Sequence, residues 1–239
     1  MARYYGSGSK YLLAREMRNF FLALGLIVLP FAVVLVIIKN FQPAYAIVAG
    51  IAAIVVIVNG LDPAVDYFQS RAGKFRRGRA GEKDIKKELL RLPDEFAVFQ
   101  GVRIGEKRGD IDFVVVGPTG IFTVEAKSMG GKIAYDGMRL TINGNYDGRD
   151  FLRQAAGEAW AVKKYLAARL NADLYVHAVL AFSHKFASMR FGLQPVQGGV
   201  YAVPKDYLTD LILSFSPYQY RGASRQAIEA LLKIVAGSK

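Results

Sequence analysis

The chain reads as an α/β protein, with a mixed central sheet flanked by helices, preceded by two apolar helices long enough to cross a membrane. Three observations carry that reading. Short β-branched runs at 96–104, 111–116, 121–127, 174–182 and 200–203 are interspersed with amphipathic helical patterns, the mark of a layered α/β architecture. The middle strands are rich in Val, Ile and Phe on both faces, as in a sheet covered on both sides. Residues 20–38 are 19 consecutive positions without a charge, and a second uncharged run fills 40–61.

Taken in order, the first segment is a basic tail, 1–19. The runs that follow are each close to the length that spans a hydrocarbon core, and the short link around Lys39 makes 20–61 a transmembrane hairpin. Arg3, Lys10, Arg15 and Arg18 precede the hairpin, and Arg71, Lys74, Arg76, Arg77 and Arg79 follow it. By the positive-inside rule both termini face the cytoplasm. The expected location is therefore the inner or plasma membrane, with a basic juxtamembrane linker at 62–79 and a cytoplasmic domain at 80–239. Residues 1–80 hold 10 Lys/Arg against 3 Asp/Glu, more than half of the net +12, which suits contact with anionic lipid. The remaining excess is compatible with nucleic acid but does not select it.

Within 80–239 a helix is expected at 82–92, ended by Pro93, then a strand at 96–104. The hairpin 111–127 follows, turning through Gly117-Pro118-Thr119-Gly120. A second hairpin pairs 132–135 with 138–142 through the two-residue turn Asp136-Gly137. A long amphipathic helix covers 151–170, a buried strand 174–182 and a short strand 200–203. Helices at 207–214 and 224–235 close the chain.

The chemistry concentrates in the first hairpin. If the four turn residues form the loop, Val116 faces Ile121, and counting back sets Asp112 opposite Glu125. Alternation puts Lys127 on the same face. Opposed carboxylates on a half-buried strand pair call for a shared proton or a divalent cation; solvated charges on an exposed face are the plainer alternative. Glu82 begins the first helix, where a carboxylate also serves the helix dipole. Gln154 begins the long helix, where a polar residue is also at home in solvent. Lys127 can equally be a snorkelling strand-edge lysine.

Other chemistries are excluded. Without cysteine there is no disulfide scaffold and no thiolate metal site. His177 and His184 are the only histidines, too few for a histidine-rich centre. Neither a phosphate-binding Gly-x-x-x-x-Gly-Lys loop nor a Gly-x-Ser-x-Gly elbow occurs.

Gly81-Glu82, then Gly109 to Phe122 with its Gly-Pro-x-Gly turn, then Val124-Glu125-Ala126-Lys127 and Gly130-Gly131-Lys132-Ile133 together resemble the NERD (nuclease-related) domain. That family is placed in the PD-(D/E)xK, restriction-endonuclease-like superfamily, and the resemblance covers roughly 78–185. It implies a restriction-endonuclease-like core that cuts DNA phosphodiesters with Mg²⁺ or Mn²⁺. Asp112 and Glu125 match the metal-binding acids, and Lys127 the lysine that activates water. Glu82 matches an additional ligand or orienter, and Gln154 the glutamine heading the next helix. Some relatives carry Gln-x-x-x-Tyr there, where this chain has Glu158. A membrane-anchored, metal-dependent nuclease with DNA and membrane lipid as partners is thus expected. The alternative is a non-catalytic subunit that uses the fold for binding within a membrane-protein assembly of the secretion or conjugation type.

Overall fold

A computed structural model describes residues 1–6 and most of 76–239, leaving out 106–109, 147, 186, 190–193, 217–222 and 238–239. Between 7 and 75 it describes only scattered positions. The chain divides into two compact units, one formed by Met1–Ser9 with Gly78–Lys239, the other by Lys10–Arg77.

In the first unit the elements run β1 (Arg3–Tyr5), helix α1 (78–89), β2 (Ala97–Val102), β3 (Ile111–Gly117) and β4 (Gly120–Lys127). Then come β5 (Gly131–Tyr135), β6 (Leu140–Ile142), α2 (Phe151–Leu170), β7 (Val176–Phe182), β8 (Ala187–Met189), β9 (Val200–Pro204), α3 (Leu208–Ser214) and α4 (Ala223–Gly237). Six strands form one mixed sheet in the order β1-β2-β3-β4-β7-β9. Strand β3 runs antiparallel to both β2 and β4, because a short connection joins it to each. The pairs β4–β7 and β7–β9 are parallel, β4 being joined to β7 through a long crossover that contains α2. A smaller sheet, β6-β5-β8, stands apart.

Alternation along the strands builds two apolar layers. On one face Ile121, Ala178, Leu180 and Ala202 pack with Val162 and Leu166 of α2 and Leu231 of α4. On the other, Val98, Phe113, Val115 and Val124 pack with Ile85 and Leu89 of α1 and Leu211 of α3. Burial of each such side chain stabilises the fold by about 1.5–3 kcal/mol. The mixed sheet with helices on both sides agrees with the expected class.

Several expectations are corrected. Strands β3 and β4 run through Gly117 and Gly120, so the turn is Pro118-Thr119 alone; the register is unchanged, with Val116 facing Ile121. Buried Thr119 donates its hydroxyl to the Ile212 carbonyl at 2.8 Å, tying the tight turn to α3. The Asp136-Gly137 turn is longer than two residues, since β6 begins only at Leu140. The Asp136 carboxylate accepts the amides of Met138 and Arg139 and so competes with the shorter hairpin. Residues 3–5, taken as part of a basic tail, are an edge strand parallel to β2.

The membrane location is also corrected. Among the described residues no helix is long and apolar enough to cross a membrane, which overturns the two-span inner-membrane location. An uncharged run is a property of composition, whereas a span also needs about 20 consecutive helical residues. Most of 20–61 lies outside the described residues. In the second unit the described positions are helical, and Phe21, Leu29, Leu35 and Ile47 among them are exposed.

Candidate functional site

Six elements, α1, β1, β2, β3, β4 and α2, deliver side chains to one end of the sheet. Continuing the β3–β4 ladder one pair beyond Phe113–Val124 sets Asp112 beside Glu125. Glu125 is buried near the end of β4, and Lys127 follows two residues later on the same face. The Lys127 ammonium donates to Glu125 Oε1 and, at 3.1 Å, to Gln154 Oε1. Gln154 returns its Nε2 to Glu125 Oε1 at 2.7 Å. Glu125, Lys127 and Gln154 thus close a three-membered ring of charge-assisted bonds. The ammonium also sits 5.0 Å from the centroid of the Phe151 ring. Gln154 reaches the ring because α2 starts here, with Asp150 as its N-cap accepting the Arg153 amide at 2.9 Å.

Asp112 Oδ2 accepts the Ala126 amide at 2.9 Å. Burial, then the charges of Glu125 and Glu82, hold its carboxyl well above the ordinary carboxylate range, against the pull of that amide. Glu82, in the opening turns of α1, is raised by burial first and further by Glu125. The Gln100 amide, 3.4 Å away, opposes the shift. Glu82 comes this close because Gly81 has no side chain. A Cβ there would lie 2.7 Å from Ser183 Oγ and 2.9 Å from Ser128 Cβ. All five residues singled out in the sequence therefore contribute to one cluster, three of them in direct contact and Asp112 and Glu82 through the field they share with Glu125.

Three members went unnoticed as site residues in the sequence. Glu158 was seen only as a departure from a tyrosine. One turn after Gln154, it accepts from the same Nε2 at 3.1 Å, while its Oε2 is buried without a partner among the described residues. Burial, and then Glu125, push its carboxyl up to about 8, so it keeps its proton at neutral pH. The four-residue spacing from Gln154 was the signal that could have found it. Gln100 and Tyr4 form the outer side: Tyr4 donates its hydroxyl to Gln100 Oε1 at 2.6 Å. No local pattern marks either of them.

Beside the cluster opens a cavity of about 420 Å³, lined by Ile104, Asp110, Ile111, Arg153, Gln154 and Glu158. Among the described residues, no group of three or more His, Asp or Glu converges closely enough to hold a metal ion by itself. What the arrangement offers is an oxygen-rich, partly buried acidic site with one ammonium fixed inside it.

Residues 77–183 match the family model of the nuclease-related domain, NERD, so this stretch, from α1 to the end of β7, is similar to nuclease-related domains. No curated protein and no solved structure matches the chain.

Proposed function

We propose that the chain is a metal-dependent nuclease hydrolysing DNA phosphodiester bonds on a restriction-endonuclease-like, PD-(D/E)xK core. The observation that carries this is half-buried Asp112 lying beside buried Glu125, with Lys127 bonded to Glu125. The donor set fits Mg²⁺ or Mn²⁺. It is all oxygen, and the mutual repulsion that raises Asp112 is what a divalent charge relieves. Asp112 and Glu125 would hold the ion, with Glu82 as an additional ligand or orienter. Two carboxylates are enough, because Mg²⁺ keeps several waters and takes substrate phosphate oxygens for the rest. Bound there, such an ion lowers the pKa of a coordinated water and neutralises charge on the scissile phosphate.

The chain's own side chains do the remaining work. Lys127, held by Glu125 and Gln154, orients the attacking water and stabilises charge developing on the phosphate. Gln154 fixes both partners through one amide: its nitrogen faces the carboxylates and its oxygen faces the ammonium. Glu158, protonated at neutral pH, adds a hydrogen-bond acceptor for Gln154 without adding a full negative charge where phosphate must approach. The adjoining cavity gives the substrate a route to the cluster.

The test is cleavage of DNA in Mg²⁺ by the full chain. Glu125→Ala and Lys127→Ala should each lower the rate by about 100-fold or more, the usual scale for loss of a charge-stabilising group, with folding retained. Mn²⁺ binding by calorimetry should disappear in Glu125→Ala. Unchanged cleavage in either variant refutes the assignment. Absence of both metal binding and cleavage in the wild type, with DNA present, would leave a non-catalytic binding role.

A further inference from the structure

We infer that the N-terminal strand β1 belongs to the working site: Tyr4, acting through Gln100, sets the orientation of the Glu82 carboxylate. The inference deepens the nuclease reading and rests on it for Glu82's part in catalysis. Tyr4 and its strand lie outside the stretch that matches the nuclease-related domain.

The chain of contacts is short. The Tyr4 hydroxyl donates to Gln100 Oε1 at 2.6 Å, and Gln100 is buried. An amide whose oxygen is held this way must point its nitrogen in the other direction, and there Nε2 meets Glu82 Oε2 at 3.4 Å. Turned over, the same amide would set a carbonyl oxygen against a carboxylate. The tyrosine's donor at one end and the carboxylate at the other together hold Gln100 with its nitrogen toward Glu82. The donor matters electrostatically, since it is the largest influence easing the charged form of Glu82 against burial and against Glu125.

Tyr4 is also clamped mechanically. The Lys86 ammonium, one turn after Glu82 on α1, lies 3.5 Å from the centroid of the Tyr4 ring. Tyr5 stacks on Phe99 with ring centroids 5.0 Å apart, and Ala2 is buried in the layer beneath α1. Gly6 lets the strand press on the same target. Its φ is +129°, and a Cβ there would lie 2.5 Å from the Gln100 carbonyl oxygen. Ala2, Tyr4, Tyr5 and Gly6 together hold β1 against β2 and α1, so the tyrosine hydroxyl reaches Gln100 from a fixed position. Tyr4 and Gln100 are positioning residues, since neither touches the cluster's reacting face.

The experiment uses the full chain and Tyr4→Phe, which keeps the ring, its stacking and the cation above it but removes the hydroxyl. DNA cleavage should show kcat reduced about tenfold with KM within twofold, because Glu82 acts on the reacting centre and not on substrate affinity. In a Glu82→Gln background the same change should do nothing further, since its effect runs through Glu82. A general structural effect would instead be additive across the two backgrounds, and that result overturns the inference. A kcat unaltered in Tyr4→Phe overturns it too. If the wild-type chain cuts no DNA, the nuclease reading fails separately, and the link is read on the protein itself. With ¹³C-labelled glutamate, the Glu82 carboxyl resonance, assigned from Glu82→Gln, should move in Tyr4→Phe. A resonance that stays in place overturns the link.

Discussion

Glu158 is the raised carboxyl of the cluster whose effect on the stability of the metal-free protein can be tested without touching the proposed metal ligands. Its carboxyl is pushed from an ordinary 4.5 to about 8, by burial first and then by Glu125. A carboxyl raised on folding binds its proton more tightly in the folded state. Its contribution is therefore whole below 4.5 and is lost as the pH rises through 8. At about 1.4 kcal/mol per pH unit, the loss relative to a neutral side chain is about 1 kcal/mol at pH 5 and about 2 kcal/mol at pH 6, approaching a ceiling of about 5 kcal/mol by pH 8.5. Glu158→Gln keeps an oxygen to accept from Gln154 and cannot ionise. The variant should exceed the wild type by about 1 kcal/mol at pH 5 and by about 5 kcal/mol at pH 8.5, the latter about 15 °C in Tm for a chain of this size. Urea unfolding in EDTA, at intervals from pH 5 to 9, measures this directly. Curves for the two proteins that run parallel across the whole range would refute the reasoning.

Two further outcomes follow from other parts of the fold. His177 packs on Phe122 and Phe215 with ring centroids at 5.0 and 4.2 Å, and its Nδ1 is buried without a partner among the described residues. Burial lowers it to about 4, so its contribution is whole above the ordinary 6.5 and lost as the pH falls toward 4. Solvent screening of this partly exposed ring leaves about 1–2 kcal/mol. Urea midpoints at pH 7 and 4.5 should therefore fall apart less in His177→Phe than in the wild type. Gly81→Ala would drive a methyl into Ser183 and Ser128 and lift the first turn of α1. DNA cleavage should drop about tenfold or more while the unfolding free energy falls by only about 1–2 kcal/mol, as paired kinetic and urea measurements would show.

The sequence disclosed most where the determinants were local. The β3–β4 register follows from counting outward from one turn, which sets Asp112 opposite Glu125, and the span of α2 agrees end for end. Hydrophobic period and turn chemistry act within a few residues, and both can be read directly. The Asp136 turn misled because a carboxylate that caps two amides looks, as a residue type, the same as one that starts a two-residue hairpin. Strand β1 was invisible for a different reason. Three residues are too few for a period, and their partner Val98 lies far along the chain. Glu158 was read as an absent tyrosine when it was a present carboxylate, one helical turn from Gln154. The two uncharged runs at 20–38 and 40–61 lie mostly outside the described residues.

The pairing of Tyr4 with Val98 has a kinetic side. Pairing residues so far apart in sequence costs chain entropy, and a three-residue strand offsets that cost with one stacked tyrosine, one buried alanine and one phenolic bond beside its backbone pairing. Such a strand is the last to dock during folding and the first to fray afterwards, opening without the rest of the sheet. Its amides should exchange with solvent sooner than those of β3 or β4. Each opening would release Gln100, so the fraction of molecules ready to act at any moment would track the docking of their own first six residues.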